Sequence, residues 1–118
     1  MRWITTIAAV EAGATGVILL LSPELFGRLV FGAEFAEPGQ ALGRLTGIAL
    51  LGFALTSWPH PAAKPVTRAM LAYNLLATIY LCYVGVAGKL VGVLLWPAVC
   101  LHLLLTAFLA VAIRTSTR

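Results

Sequence analysis

The stretch Ile4-Thr5-Thr6-Ile7-Ala8-Ala9-Val10-Glu11-Ala12-Gly13-Ala14-Thr15-Gly16-Val17-Ile18-Leu19-Leu20-Leu21 is apolar and small-residued except for one acid near its centre, Glu11. A helix needs roughly 17–25 such residues to cross the hydrocarbon core of a bilayer. A second apolar stretch, Pro97-Ala98-Val99-Cys100-Leu101-His102-Leu103-Leu104-Leu105, holds a histidine in the same way. An ionisable group at that depth is expensive, so it normally has a partner or a task.

Composition agrees with lipid as the solvent. Of 118 residues, 61% are hydrophobic and only 10% charged, whereas a soluble domain carries roughly a quarter charged residues. Mean hydropathy is +0.99. The net charge of +4 comes from Lys and Arg scattered near the ends of apolar runs, as membrane flanks require. No basic run interleaved with aromatics is present, so nucleic acid is not an expected partner. A signal peptide is not expected either, because Glu11 interrupts the apolar region and no clear A-x-A cleavage site follows that region before Pro23.

Four spans follow, at about 3–21, 41–58, 66–87 and 90–113. Backbone groups in lipid must pair within the segment, so the spans are helices. The expected fold is all-α, a single integral membrane domain over residues 1–118 built as a four-helix bundle. Between the first two spans, Ser22-Pro23-Glu24 supplies a cap, a first-turn proline and a first-turn acid. Leu25, Phe26, Leu29 and Val30 then recur at helical spacing, and Gly32 can end the helix. Residues 22–32 therefore read as a short amphipathic helix, lying in the membrane interface or packed on the bundle's end. Glu34, Glu37, Pro38 and Gly39 read as a polar turn. Pro59, Pro61 and Pro65 separate spans two and three, with His60 in the exposed turn. Gly85 to Lys89 reads as a tight hairpin connection, and Trp96-Pro97 as a kink or a late helix start.

Lys and Arg counts set the orientation. With both ends cytoplasmic, Arg2, Lys64, Arg68, Arg114 and Arg118 lie inside, against Arg28, Arg44 and Lys89 outside. Glu11 then lies about 12 Å from the inner face, Asn74 at a similar depth, and His102 about 16 Å in, at 1.5 Å per residue. A bundle lets the three meet, as a structural clasp or as a ligand site. Arg44 reads as a snorkelling flank, an anion site, or a partner of Glu34 or Glu37. Tyr80 is deep enough to line a cavity. The rows Ala8, Ala12, Gly16, then Gly43, Gly47, then Ala98, His102, Thr106 are small-xxx-small packing faces.

The four acids are all glutamate, and no nucleophile elbow, HExxH or phosphate loop occurs. Cys82 and Cys100 lie inside apolar runs without metal-ligand spacing. No enzyme, metal or cofactor is expected. The first functional reading is an accessory or assembly subunit packing against other membrane helices or a second copy. The alternatives are a proton-coupled transporter or ligand-binding protein using Glu11, and a pigment- or haem-associated subunit using His102.

The stretches Ala41-Leu42-Gly43-Arg44-Leu45-Thr46-Gly47-Ile48-Ala49-Leu50-Leu51-Gly52 and Gly92 to His102 resemble a family of uncharacterised bacterial four-span proteins, itself loosely similar to DoxX-like membrane proteins. That resemblance covers nearly the whole chain and implies the bacterial inner membrane, with no assigned substrate. Glu11 in Ala9-Val10-Glu11-Ala12-Gly13 is also similar to the span-one glutamate of small multidrug resistance transporters, which implies a binding role for that residue alone.

Overall fold

Three helices of this chain are long and apolar enough to cross a membrane. The computed structural model describes residues 2–58 and 60–116, and among them every regular element is helical. Pro59 and Arg118, used above as a helix stop and an inner flank, lie outside the described residues.

Helix α1 runs Arg2–Leu21, and α2 begins one residue later at Pro23–Phe26. The Ser22 hydroxyl caps α2 by accepting from the Leu25 N–H, and Pro23 occupies the first turn, where its missing N–H costs nothing. The segment then widens into a π-helical turn over Gly27–Phe31 and stops at Gly32, whose φ of 72° suits glycine. The expected helix over 22–32 therefore exists. Its faces differ in one respect: Phe26 and Val30 turn inward, but Leu25 is exposed.

Helix α3 runs Glu37–Leu55, not 41–58. Glu37 and Pro38, expected in a turn, form its first turn, where an acid and a proline are both favourable. This is also why α3 is not among the three most apolar helices: Glu37, Gln40 and Arg44 thin its first half. Helix α4 spans Lys64–Ala87, ended by Gly88 at φ 77°. Helix α5 spans Leu95–Ser116, not 90–113. It starts late, with Pro97 in the first turn, and residues 88–94 form an irregular connection longer than the expected tight turn.

That connection is held by backbone bonds with no sequence signature. The Gly92 N–H donates to the Val30 carbonyl at 2.8 Å, and the Leu94 N–H to the Leu29 carbonyl at 2.7 Å. The last carbonyls of a helix have no partner within it. Here the chain between α4 and α5 supplies them. A Cβ on Gly92 would collide with the Leu29 carbonyl, so only glycine lets the two segments approach this closely.

Packing divides the long helices into two antiparallel pairs, α1 with α3 and α4 with α5. The first pair crosses at glycine. A Cβ on Gly16 would stand 2.7 Å from the Gly47 carbonyl, and one on Gly47 2.6 Å from that of Gly16. Gly43 likewise faces Pro23, Phe35 and Leu19. Helix α3 makes no close backbone approach to α4 or α5; side chains such as Phe53 and Tyr73, with ring centroids 5.4 Å apart, span that gap.

One half of the bundle is solid. Ile4, Ala8 and Ala9 of α1, Met70 of α4, and Leu105, Leu109 and Ala112 of α5 form a buried cluster. The other half holds two smaller clusters, around Ala12, Leu19 and Leu50 and around Val30, Val84 and Leu95, and is hollow between them. Outward faces carry exposed Val10, Leu21, Leu42, Leu45, Ile48, Leu76 and Val86. So much apolar surface facing outward fits a lipid solvent.

Candidate functional site

Where the solid half meets the hollow half, three helices each contribute one polar side chain. Glu11 comes from α1, Asn74 from α4 and His102 from α5, as their common depth along the helices implied. Asn74 is fully buried and His102 only 6% exposed.

The chain of contacts has a direction. The Asn74 amide nitrogen donates to the Met70 carbonyl one turn back, at 2.9 Å. That bond fixes the amide so that its oxygen points to α5, where it lies 2.7 Å from His102 Nδ1. An amide oxygen only accepts, so Nδ1 carries the proton and donates. The other ring nitrogen, Nε2, faces Glu11 Oε1 at 3.7 Å. Thr15, one turn along α1, donates its hydroxyl to the same Oε1 at 2.9 Å. Glu11 Oε2 is buried and has no hydrogen-bond partner. The Tyr73 ring stands edge-on to the imidazole, with centroids 5.8 Å apart.

Glu11 and His102 also line a cavity of about 820 Å³ that fills the hollow half. Its wall runs over Ile18 of α1, Leu50 of α3, Ala77 and Tyr80 of α4, and Ala98 and Leu101 of α5. Phe26, Leu29 and Phe31 of the segment after α1 close one end. Among the described residues, the lining contains no lysine or arginine. Its size and apolar wall with a few convergent polar groups are those of a small-molecule pocket.

Other expected site residues fall elsewhere. Arg44 is exposed and donates to the Leu20 carbonyl at 3.1 Å, so it caps the end of α1 and stands apart from the polar cluster. Glu34 is not its partner; it pairs with Arg28 at 3.1 Å, both side chains exposed. Tyr80 lines the cavity, but most of its surface is exposed, so it belongs to the rim. Ala8, Ala12, Gly16, Gly43 and Gly47 are buried inside this bundle. Ala98 lines the cavity instead of a helix contact, and Thr106 donates to the His102 carbonyl at 2.7 Å. Thr15 and Tyr73 were not singled out from sequence. Thr15 had one available signal, its position one helical turn after Glu11, where the two side chains share a face.

No family model, no curated protein and no solved structure matches this chain.

Proposed function

We propose that this chain is a four-crossing membrane protein that binds an apolar molecule with one polar group, seated in the cavity and anchored at Glu11. The observation that carries the reading is Glu11 Oε2, a buried carboxyl oxygen without a partner on a residue that lines an apolar cavity. A purely structural clasp would satisfy its buried polar atoms, since leaving one unpaired costs about 1–3 kcal/mol. A ligand donor would supply the missing bond.

The fourth crossing is α3. It is bound along α1 at Gly16 and Gly47, and its outer face shows Leu42, Leu45, Ile48 and Leu55. A helix clamped antiparallel to a spanning neighbour shares its path through the bilayer. The accessory-subunit reading draws on small-residue faces, the minimal soluble mass and the lack of catalytic groups. Most of those faces are consumed within the chain, which favours binding over docking.

The test is binding of 1-aminoanthracene, an apolar fluorophore with one polar group, to the protein in phosphatidylcholine nanodiscs. Saturable binding above that of empty nanodiscs is expected, weakened at least tenfold by Leu50→Trp, which fills the cavity. Uptake equal to that of empty nanodiscs would defeat the reading.

A further inference from the structure

We infer that Asn74 is a positioning residue that turns His102 into a cavity-side acceptor, and that the site thereby selects neutral hydroxyl-bearing ligands. This rests on the binding reading above and names its ligand class.

The argument is a count of protons. Asn74 Oδ1 commits the imidazole proton to Nδ1, on the side away from Glu11. Nε2 then faces Glu11 Oε1 at 3.7 Å, and both residues line the cavity, with Glu11 Oε2 buried beside them. If these three atoms shared no proton, a full negative charge would sit near the middle of an apolar bundle. No lysine or arginine among the described residues lines the cavity to offset it, and an unpaired charge at such depth is strongly disfavoured. Keeping the site neutral takes one proton shared between Glu11 and Nε2, and one proton among three acceptor atoms leaves an excess of acceptors. Thr15 occupies part of Oε1, and Oε2 stays vacant.

A ligand matched to this site offers a hydrogen-bond donor and brings no charge. An ether or a hydrocarbon of equal size leaves Oε2 unpaired. A cation would have to expel the shared proton to keep the site neutral. The hydroxyl of an apolar alcohol or phenol meets both conditions. If Asn74 did not hold the ring, Nε2 could carry the proton and donate, and the preference for donors would weaken.

The experiment compares 2-naphthol with 2-methoxynaphthalene, binding to the protein in nanodiscs and correcting for partition into empty ones. The hydroxyl compound is expected to bind about tenfold or more tightly, the penalty for a buried acceptor left unpaired. Asn74→Leu is expected to shrink that ratio severalfold. Equal affinities for the two compounds, with both saturable, would overturn the inference and leave the binding reading standing. Saturable binding of neither would remove both. A second readout needs no variant. The chain has two histidines, and His60 lies in the exposed turn before α4. The ¹⁵N spectrum of histidine-labelled protein should show one ring locked with Nδ1 protonated and one averaging between tautomers. A locked ring protonated only at Nε2 would also overturn the inference.

Discussion

Glu11 has one oxygen engaged by Thr15 and His102 and one left over. Binding sites often keep such unsatisfied groups at the expense of stability. Glu11→Met fills the same space without a polar atom to bury. It is expected to hold or raise the melting temperature in detergent while weakening 2-naphthol binding about tenfold; a large fall in melting temperature would mark Glu11 as a structural clasp. Glu24 gives a residue-scale prediction of a different kind, because it lies outside the long helices. Its own backbone N–H and the Ser22 hydroxyl, aided by Arg44 and Arg28, hold its carboxyl below the usual carboxylate range. A group depressed in the folded state adds stability above its unfolded value, and that stability is lost as pH falls through the lowered value. Thermal unfolding at successively lower pH should therefore show a shallower acid decline in Glu24→Gln than in the parent protein. At this scale much of the site was legible. Equal depth along three apolar runs was enough to associate Glu11, Asn74 and His102. Their order was not legible: that Asn74 bridges Met70 and His102, and that Thr15 serves Glu11, depends on helix rotations that residue spacing alone does not fix.

At the level of elements, the strongest constraint is the α1–α3 crossing. Gly16 and Gly47 let two backbones meet with no side chain between them, the arrangement by which membrane helices gain dispersion contacts without a hydrophobic driving force. Gly16→Val puts atoms where the Gly47 carbonyl already is, and neither backbone can yield cheaply. Overpacking of that kind costs about 1–3 kcal/mol, and the expected outcome is a clearly lower unfolding midpoint in a detergent titration. Gly52 has open space where a Cβ would go, so Gly52→Ala should unfold at or above the parent midpoint and serves as the control. Local chemistry revealed the start at Ser22-Pro23, the stop at Gly32 and the late beginning at Trp96-Pro97, since caps and prolines act over one turn. The start of α3 was misread because Glu-Pro-Gly suits both a turn and a first helical turn. The bonds from Gly92 and Leu94 to the π-helical turn after α2 could not be read at all. They join backbone atoms some sixty residues apart, and backbone pairing leaves no period in the side chains.

The whole molecule measures 47 Å along its longest axis, close to the 40–45 Å of a bilayer with its headgroups. Composition made the helical class and the lipid solvent plain. The cavity was not foreseeable, since a void reflects where helices diverge. The position of α3 can be tested directly. With Cys82 and Cys100 replaced by serine, single cysteines at Glu34 and Ala62 should react with an impermeant maleimide from opposite sides of a sealed vesicle. Reaction from the same side would mean that α3 does not cross.

The stitching of residues 92 and 94 to carbonyls of the π-helical turn after α2 ties the roof of the chamber to the α4–α5 pair, whereas α3 meets that pair only through side chains. The seam that can part with the least loss is thus the lateral one, which opens onto acyl chains. A guest using that door would never pass through water, and its dose would be set by its mole fraction in the surrounding fat. Occupancy should follow the ratio of guest to phospholipid and hardly change when the aqueous volume is doubled.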